Sequence, residues 1–171
     1  MSLSNKQIAD YEQDGYIVVE NVLSSPELET LRIRIESIAT GELDFPEAAL
    51  EYEPGTPDGD RRLSTLRKIN HGAESDDVLL GHAFNPAVVN IVTSLLGPDI
   101  KLFGDQCFVK PPGGIEKTYH QDSPYFKIEP MALVTAWTAL DDVTLENGCM
   151  YVVPGSQNDG PLDHSEPWMV G

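Results

Sequence analysis

The sequence predicts an α+β protein with a mainly β core, in which helices at the front buttress a β-sandwich or jelly roll. Three observations carry this expectation. Residues 1–98 hold segments with helix caps and apolar side chains at helical spacing. After Gly97-Pro98 the pattern changes to short alternating runs broken by Gly and Pro. Asn147-Gly148 then separates the last two runs, and because both residue types tolerate positive φ, those runs are expected to pair antiparallel.

In chain order, Ser4 caps a short helix through about Gln13 that Gly15 ends, and Tyr16-Ile17-Val18-Val19-Glu20 reads as a strand. Ser25 as cap and Pro26 as first residue open a second helix, with Leu28, Leu31, Ile35 and Ile38 on one face until Gly41. The acidic stretch Glu42 to Arg62 is rich in Pro and Gly and reads as a surface excursion. Within it Asp58-Gly59-Asp60 is a solvated turn, because the other ligand positions of a calcium loop are missing. Leu63 to His71 starts extended, a short acidic helix follows around Asp76 to Leu80, and Asn85-Pro86 open a helix with Val88, Val89, Val92, Leu95 and Leu96 on one face. Ile100 to Val109, Met131 to Leu140 and Cys149 to Val153 then read as strands, with Pro111-Pro112-Gly113-Gly114 as a break.

A chain of 171 residues is long enough for one domain with a real core, and 40% hydrophobic against 23% charged residues is ordinary for a soluble globular protein. No apolar run approaches the roughly 18 residues of a membrane span, and the polar N-terminus points to the cytoplasm. With 28 acidic and 11 basic residues the net charge is −17, which repels phosphate backbones and anionic membranes. Nucleic acid and membrane partners are therefore not expected. Cys107 and Cys149 share no paired spacing, so they read as buried free thiols in a reducing compartment.

The candidate chemistry lies in Thr118-Tyr119-His120-Gln121-Asp122-Ser123-Pro124-Tyr125-Phe126. If this segment is extended, His120 and Asp122 project side by side and Gln121 turns away. Such a pair is two-thirds of a 2-His-1-carboxylate triad, which leaves three positions on iron(II) open. The bland alternative is a hydrogen-bonded surface or turn pair.

Several segments in order resemble the phytanoyl-CoA dioxygenase family: Asp14-Gly15-Tyr16-Ile17-Val18-Val19, Phe108-Val109-Lys110-Pro111-Pro112-Gly113, Tyr119-His120-Gln121-Asp122, Ala136-Trp137-Thr138-Ala139-Leu140, Glu146-Asn147-Gly148-Cys149-Met150 and Pro154-Gly155-Ser156. The resemblance runs across essentially the whole chain. It implies a double-stranded β-helix of the jelly-roll or cupin-like kind. It also implies an iron(II)- and 2-oxoglutarate-dependent dioxygenase that hydroxylates a small molecule with release of succinate and CO2. On the same resemblance His120 and Asp122 are iron ligands, and Lys68, Gln106 and Trp137 line the 2-oxoglutarate pocket. A carboxylate at position 122 favours hydroxylation, since halogenating relatives have a small residue there. Tyr125 and Phe126, just after the ligand pair, are candidates either for an apolar wall near the substrate or for ordinary core packing.

The family's third ligand, a late histidine, and the arginine that pairs with 2-oxoglutarate lie beyond Pro154-Gly155-Ser156. The remaining histidines here are His71, His82 and His164, and the last arginine is Arg67. His164 is expected to have a loop-surface role, and His71 and His82 structural or exposed ones. The chain thus reads either as the N-terminal portion of a longer protein, with the second half of the β-helix missing, or as a shortened relative. The alternative function is then a non-catalytic binding module without a complete metal site. A cupin-like isomerase or sugar-binding barrel is a third reading, but it needs a denser cluster of histidines.

Overall fold

Helix α1 (Asn5–Asp14) starts at Ser4, whose hydroxyl and the Gln7 side chain cap each other's backbone, and stops at Gly15 with φ 80°. The computed structural model describes residues 1–126 and 128–164. Helix α2 (Ser25–Thr40) is capped by Ser24, one residue earlier than expected. The shift has a local cause: Glu27 stands three residues after Ser24 and accepts the Ser24 backbone N–H at 2.7 Å. Leu31, Ile35, Ile38 and Ala39 form the buried face of α2.

The core joins that face to Phe45, Ala49, Leu66 and Ile69. Strands β1 (Leu50–Tyr52), β2 (Leu66–Asn70) and β3 (Gln106–Phe108) make an antiparallel sheet in that order. β1 falls inside the stretch expected to be a surface excursion. Phe45 and Ala49 are buried there, so the apolar part of the stretch joins the core and only the Pro/Gly-rich turn beyond Tyr52 leaves the sheet. At Asp58-Gly59-Asp60 the chain does turn, and Asp60 pairs with Arg62.

Three helices follow β2: α3 (Gly72–Ser75), α4 (Asp77–Ala83) and α5 (Pro86–Leu96). Asp76 caps α4 through the N–H groups of Val78 and Leu79 and pairs with Arg34 of α2 at 3.4 Å. Asn85 caps α5 through Ala87 N–H and donates to Glu27 of α2 at 3.0 Å. The capping residues thus also tie these helices to α2.

The strand expectations hold less well. Ile100 to Val109 yields only the three residues of β3. Tyr16 to Glu20, Met131 to Leu140 and Cys149 to Val153 form no ladder among the described residues, and the antiparallel pair across Asn147-Gly148 is not made. The turn itself is made: Gly148 has φ 91°, and the Asn147 side chain accepts from Thr144 N–H and donates to the Asp142 carbonyl. Turn chemistry is local, whereas a ladder needs a partner strand. The described residues therefore show a small α+β protein with a three-stranded sheet, not a closed β-helix. No single helix among them is long and apolar enough to cross a membrane.

Candidate metal centre

His120 and Asp122 meet. His120 Nε2 lies 3.5 Å from Asp122 Oδ1, with the two side chains 29% and 41% exposed. Asp122 has helical backbone angles and leads into a 3-10 turn at Ser123–Tyr125, so the segment is not extended throughout, yet the two groups still share one side.

Each group is oriented by a second contact. His120 Nδ1 lies 2.7 Å from the Thr118 carbonyl oxygen, which can only accept, so Nδ1 carries a proton, and when the ring is neutral Nε2 keeps its lone pair. Asp122 Oδ2 accepts the Thr135 hydroxyl at 2.8 Å, which leaves Oδ1 on the side of the imidazole. In that neutral form a lone pair and a carboxylate oxygen face one another. That arrangement fits two donors to one cation, and it has the outer contacts that fix ligand tautomer and direction in metal sites. Thr118 acts through a main-chain carbonyl and Thr135 lies in a different segment, so neither carries a motif that the sequence reading could have found.

Tyr125 stands beside the pair. Its ring is edge-on to His120 at 6.2 Å and to His164 at 5.4 Å. Phe126 instead packs against Phe103 at 4.8 Å. His164 has its ring nitrogens engaged: Nε2 accepts the Gln121 backbone N–H at 2.8 Å, and Nδ1 lies 2.8 Å from the Leu162 carbonyl. Among the described residues no group of three His, Cys, Asp or Glu side chains gathers to hold an ion. His71 is exposed and 3.7 Å from Glu74, and His82 lies at the end of α4, where burial lowers its pKa.

The structure brings Lys68 and Gln106 to one face of the sheet, because Lys68 is opposite Phe108 and Asn70 opposite Gln106 across the β2–β3 ladder. The Lys68 side chain is only 17% exposed, 3.6 Å from Glu51 Oε1 and 5.3 Å above the Phe108 ring. The Asn70 amide, ahead of the Lys68 charge, holds the Glu51 carboxyl below its ordinary range. Trp137 is 48% exposed, two residues after Thr135, and no hydrogen bond or ring pair joins it to either group among the described residues. Cys107 faces the core opposite Ile69, and burial, with Asp105 nearby, pushes its thiol up to about 11.

Comparison with known proteins places these residues in context. Residues 11–169 match the family model described as phytanoyl-CoA dioxygenase. A probable phytanoyl-CoA dioxygenase of Caenorhabditis elegans is 32% identical over 99% of this chain and 57% of its own length. The peroxisomal phytanoyl-CoA dioxygenase of Mus musculus is 28% identical over 99% of this chain and 52% of its own length. A phytanoyl-CoA dioxygenase domain-containing protein 1 of Danio rerio is 27% identical over 92% of this chain and 67% of its own length. The chain thus spans about half the length of the first two of these relatives.

Proposed function

Since the chain belongs to the phytanoyl-CoA dioxygenase family, whose fold is a jelly roll, we propose that it forms part of an iron(II)- and 2-oxoglutarate-dependent hydroxylase acting on a small molecule. The observation that carries this reading is the 3.5 Å approach of His120 Nε2 to Asp122 Oδ1, each turned there by its own second contact. Bound iron(II) would supply the activation of dioxygen, one oxygen atom of which would go to 2-oxoglutarate as it loses CO2 to give succinate, and the other to a substrate C–H as it becomes C–OH.

The residues of this chain do the holding. His120 offers a neutral nitrogen and Asp122 a negative charge, which offsets part of the charge of a divalent cation. Lys68 is the cation for an anionic co-substrate; its ammonium now lies near Glu51, so a co-substrate carboxylate would replace that neighbour. Gln106 on the same sheet face adds an amide, and Trp137 offers a flat wall. The net charge of −17 favours a small metabolite over a ligand with several phosphates.

Succinate release from 2-oxoglutarate with iron(II), assayed in wild type, His120→Ala and Asp122→Ala, tests the reading. Turnover in wild type and its loss in both variants is expected. Full activity of His120→Ala would remove the pair from the metal centre, and iron-free binding of a ligand by wild type would favour the non-catalytic module.

A further inference from the structure

Gln121 sits between the two candidate ligands, and its polar groups turn to a distant loop. Its backbone N–H donates to His164 Nε2 at 2.8 Å. Its side-chain Nε2 donates to the Gly160 carbonyl at 3.0 Å, and its Oε1 accepts the Leu162 N–H at 2.8 Å. Three bonds to three residues of one loop thus leave a single residue, about 40 positions away in sequence.

We propose that Gln121 is a positioning residue: it clasps the 160–164 loop to the His120–Asp122 pair, so loop placement and ligand geometry are set together. The inference rests on the metal reading above. Gln121 shares its two peptide planes with His120 and Asp122, so fixing its backbone and side chain fixes the directions from which both ligands project. A primary amide suits the task, because one end donates to a carbonyl and the other accepts from an N–H two residues on. A carboxylate at position 121 would face the Gly160 carbonyl with no proton to give, and an apolar side chain would satisfy neither group. Gly160 takes φ 71° with ψ −173°, an extended positive-φ conformation that only glycine adopts readily. Tyr125, edge-on to both His120 and His164, adds a second link between loop and pair.

The test uses the full chain in wild type, Gln121→Met, Gln121→Ala, His164→Ala and the Gln121→Ala/His164→Ala double variant. Gln121→Met keeps the side-chain length and loses both amide bonds. Two readouts are taken: cobalt(II) titration, and the ring-nitrogen NMR shifts of His120, which report its tautomer without metal. Circular dichroism checks that each variant is folded. The expected result is an affinity for cobalt(II) about tenfold lower in both Gln121 variants, with a mixed His120 tautomer in place of the Nδ1–H form. The double variant should fall no further than Gln121→Ala, since both changes release the same loop. An unchanged His120 ring in folded Gln121→Met, or strict additivity in the double variant, overturns the clasp. Absence of cobalt(II) binding in wild type counts against the metal reading instead, and the His120 ring shifts then decide the clasp alone.

Discussion

At the scale of single residues, the candidate centre depends on which atoms carry protons. The Thr118 carbonyl assigns the proton of His120 to Nδ1, and the Thr135 hydroxyl occupies Asp122 Oδ2. Replacing Thr135 with Val removes that hydroxyl at nearly constant volume, and metal affinity should fall about tenfold with the fold retained, as cobalt(II) titration and circular dichroism would show. The Cys107 thiol gives a second prediction. Its folded pKa, about 11 against an ordinary 9.0, means that the fold favours the protonated thiol. That contribution, roughly 2 to 3 kcal/mol at one pKa unit per 1.36 kcal/mol, is present below pH 9 and lost as pH rises towards 11. Urea midpoints should drop across that window in wild type and drop less in Cys107→Ala. The ligand pair was legible in the sequence because two residues of the right chemistry stand two apart. Thr135 was not, because a hydroxyl that reaches a carboxylate from another segment leaves no local pattern.

At the scale of elements, the parts read well are those whose causes are local. Ser4 with Gln7, Asp76 and Asn85 cap helices through their own side chains, and Gly15 and Gly41 end helices with positive φ. Even the misplaced cap of α2 is local, since Glu27 selects Ser24 over Ser25. Glu27→Ala removes that bond and the one to Asn85, and a loss of about 1 kcal/mol in chemical denaturation is expected. Gly15→Ala should cost roughly 1 to 2 kcal/mol in the same assay. Its φ of 80° strains any Cβ, and the Gln157 amide, which caps the α1 carbonyls of Glu12 and Gln13, already fills the space. The strands were read less well. Alternation marks a chain able to be a strand, as in Tyr16 to Glu20, where exposure alternates along the segment, but a ladder also needs a partner at the right distance.

For the whole molecule, the two ends of the sequence behave differently. The helical front supplies α2 and its core contacts, while the segment from Met131 to Val153 leaves Trp137, Leu145, Met150, Tyr151 and Val153 exposed. Apolar surface of that extent binds partners or dyes, so the 171-residue chain should bind an apolar fluorescent dye and self-associate with concentration in sedimentation experiments. The net charge of −17 opposes association, and added salt should therefore strengthen it. Family membership was legible because several motifs occur in one order, and the α+β class followed from patterning. The sheet order β1-β2-β3 was not, because β1 is a three-residue strand within a Pro/Gly-rich stretch.

Whether His120 and Asp122 hold one iron(II) is measured most directly by anaerobic iron(II) titration of wild type beside His120→Ala and Asp122→Ala. One iron(II) per chain is expected in wild type, with affinity at least about tenfold lower in each folded variant. Iron(II) binding of equal strength in wild type and His120→Ala, or none in wild type, would contradict it.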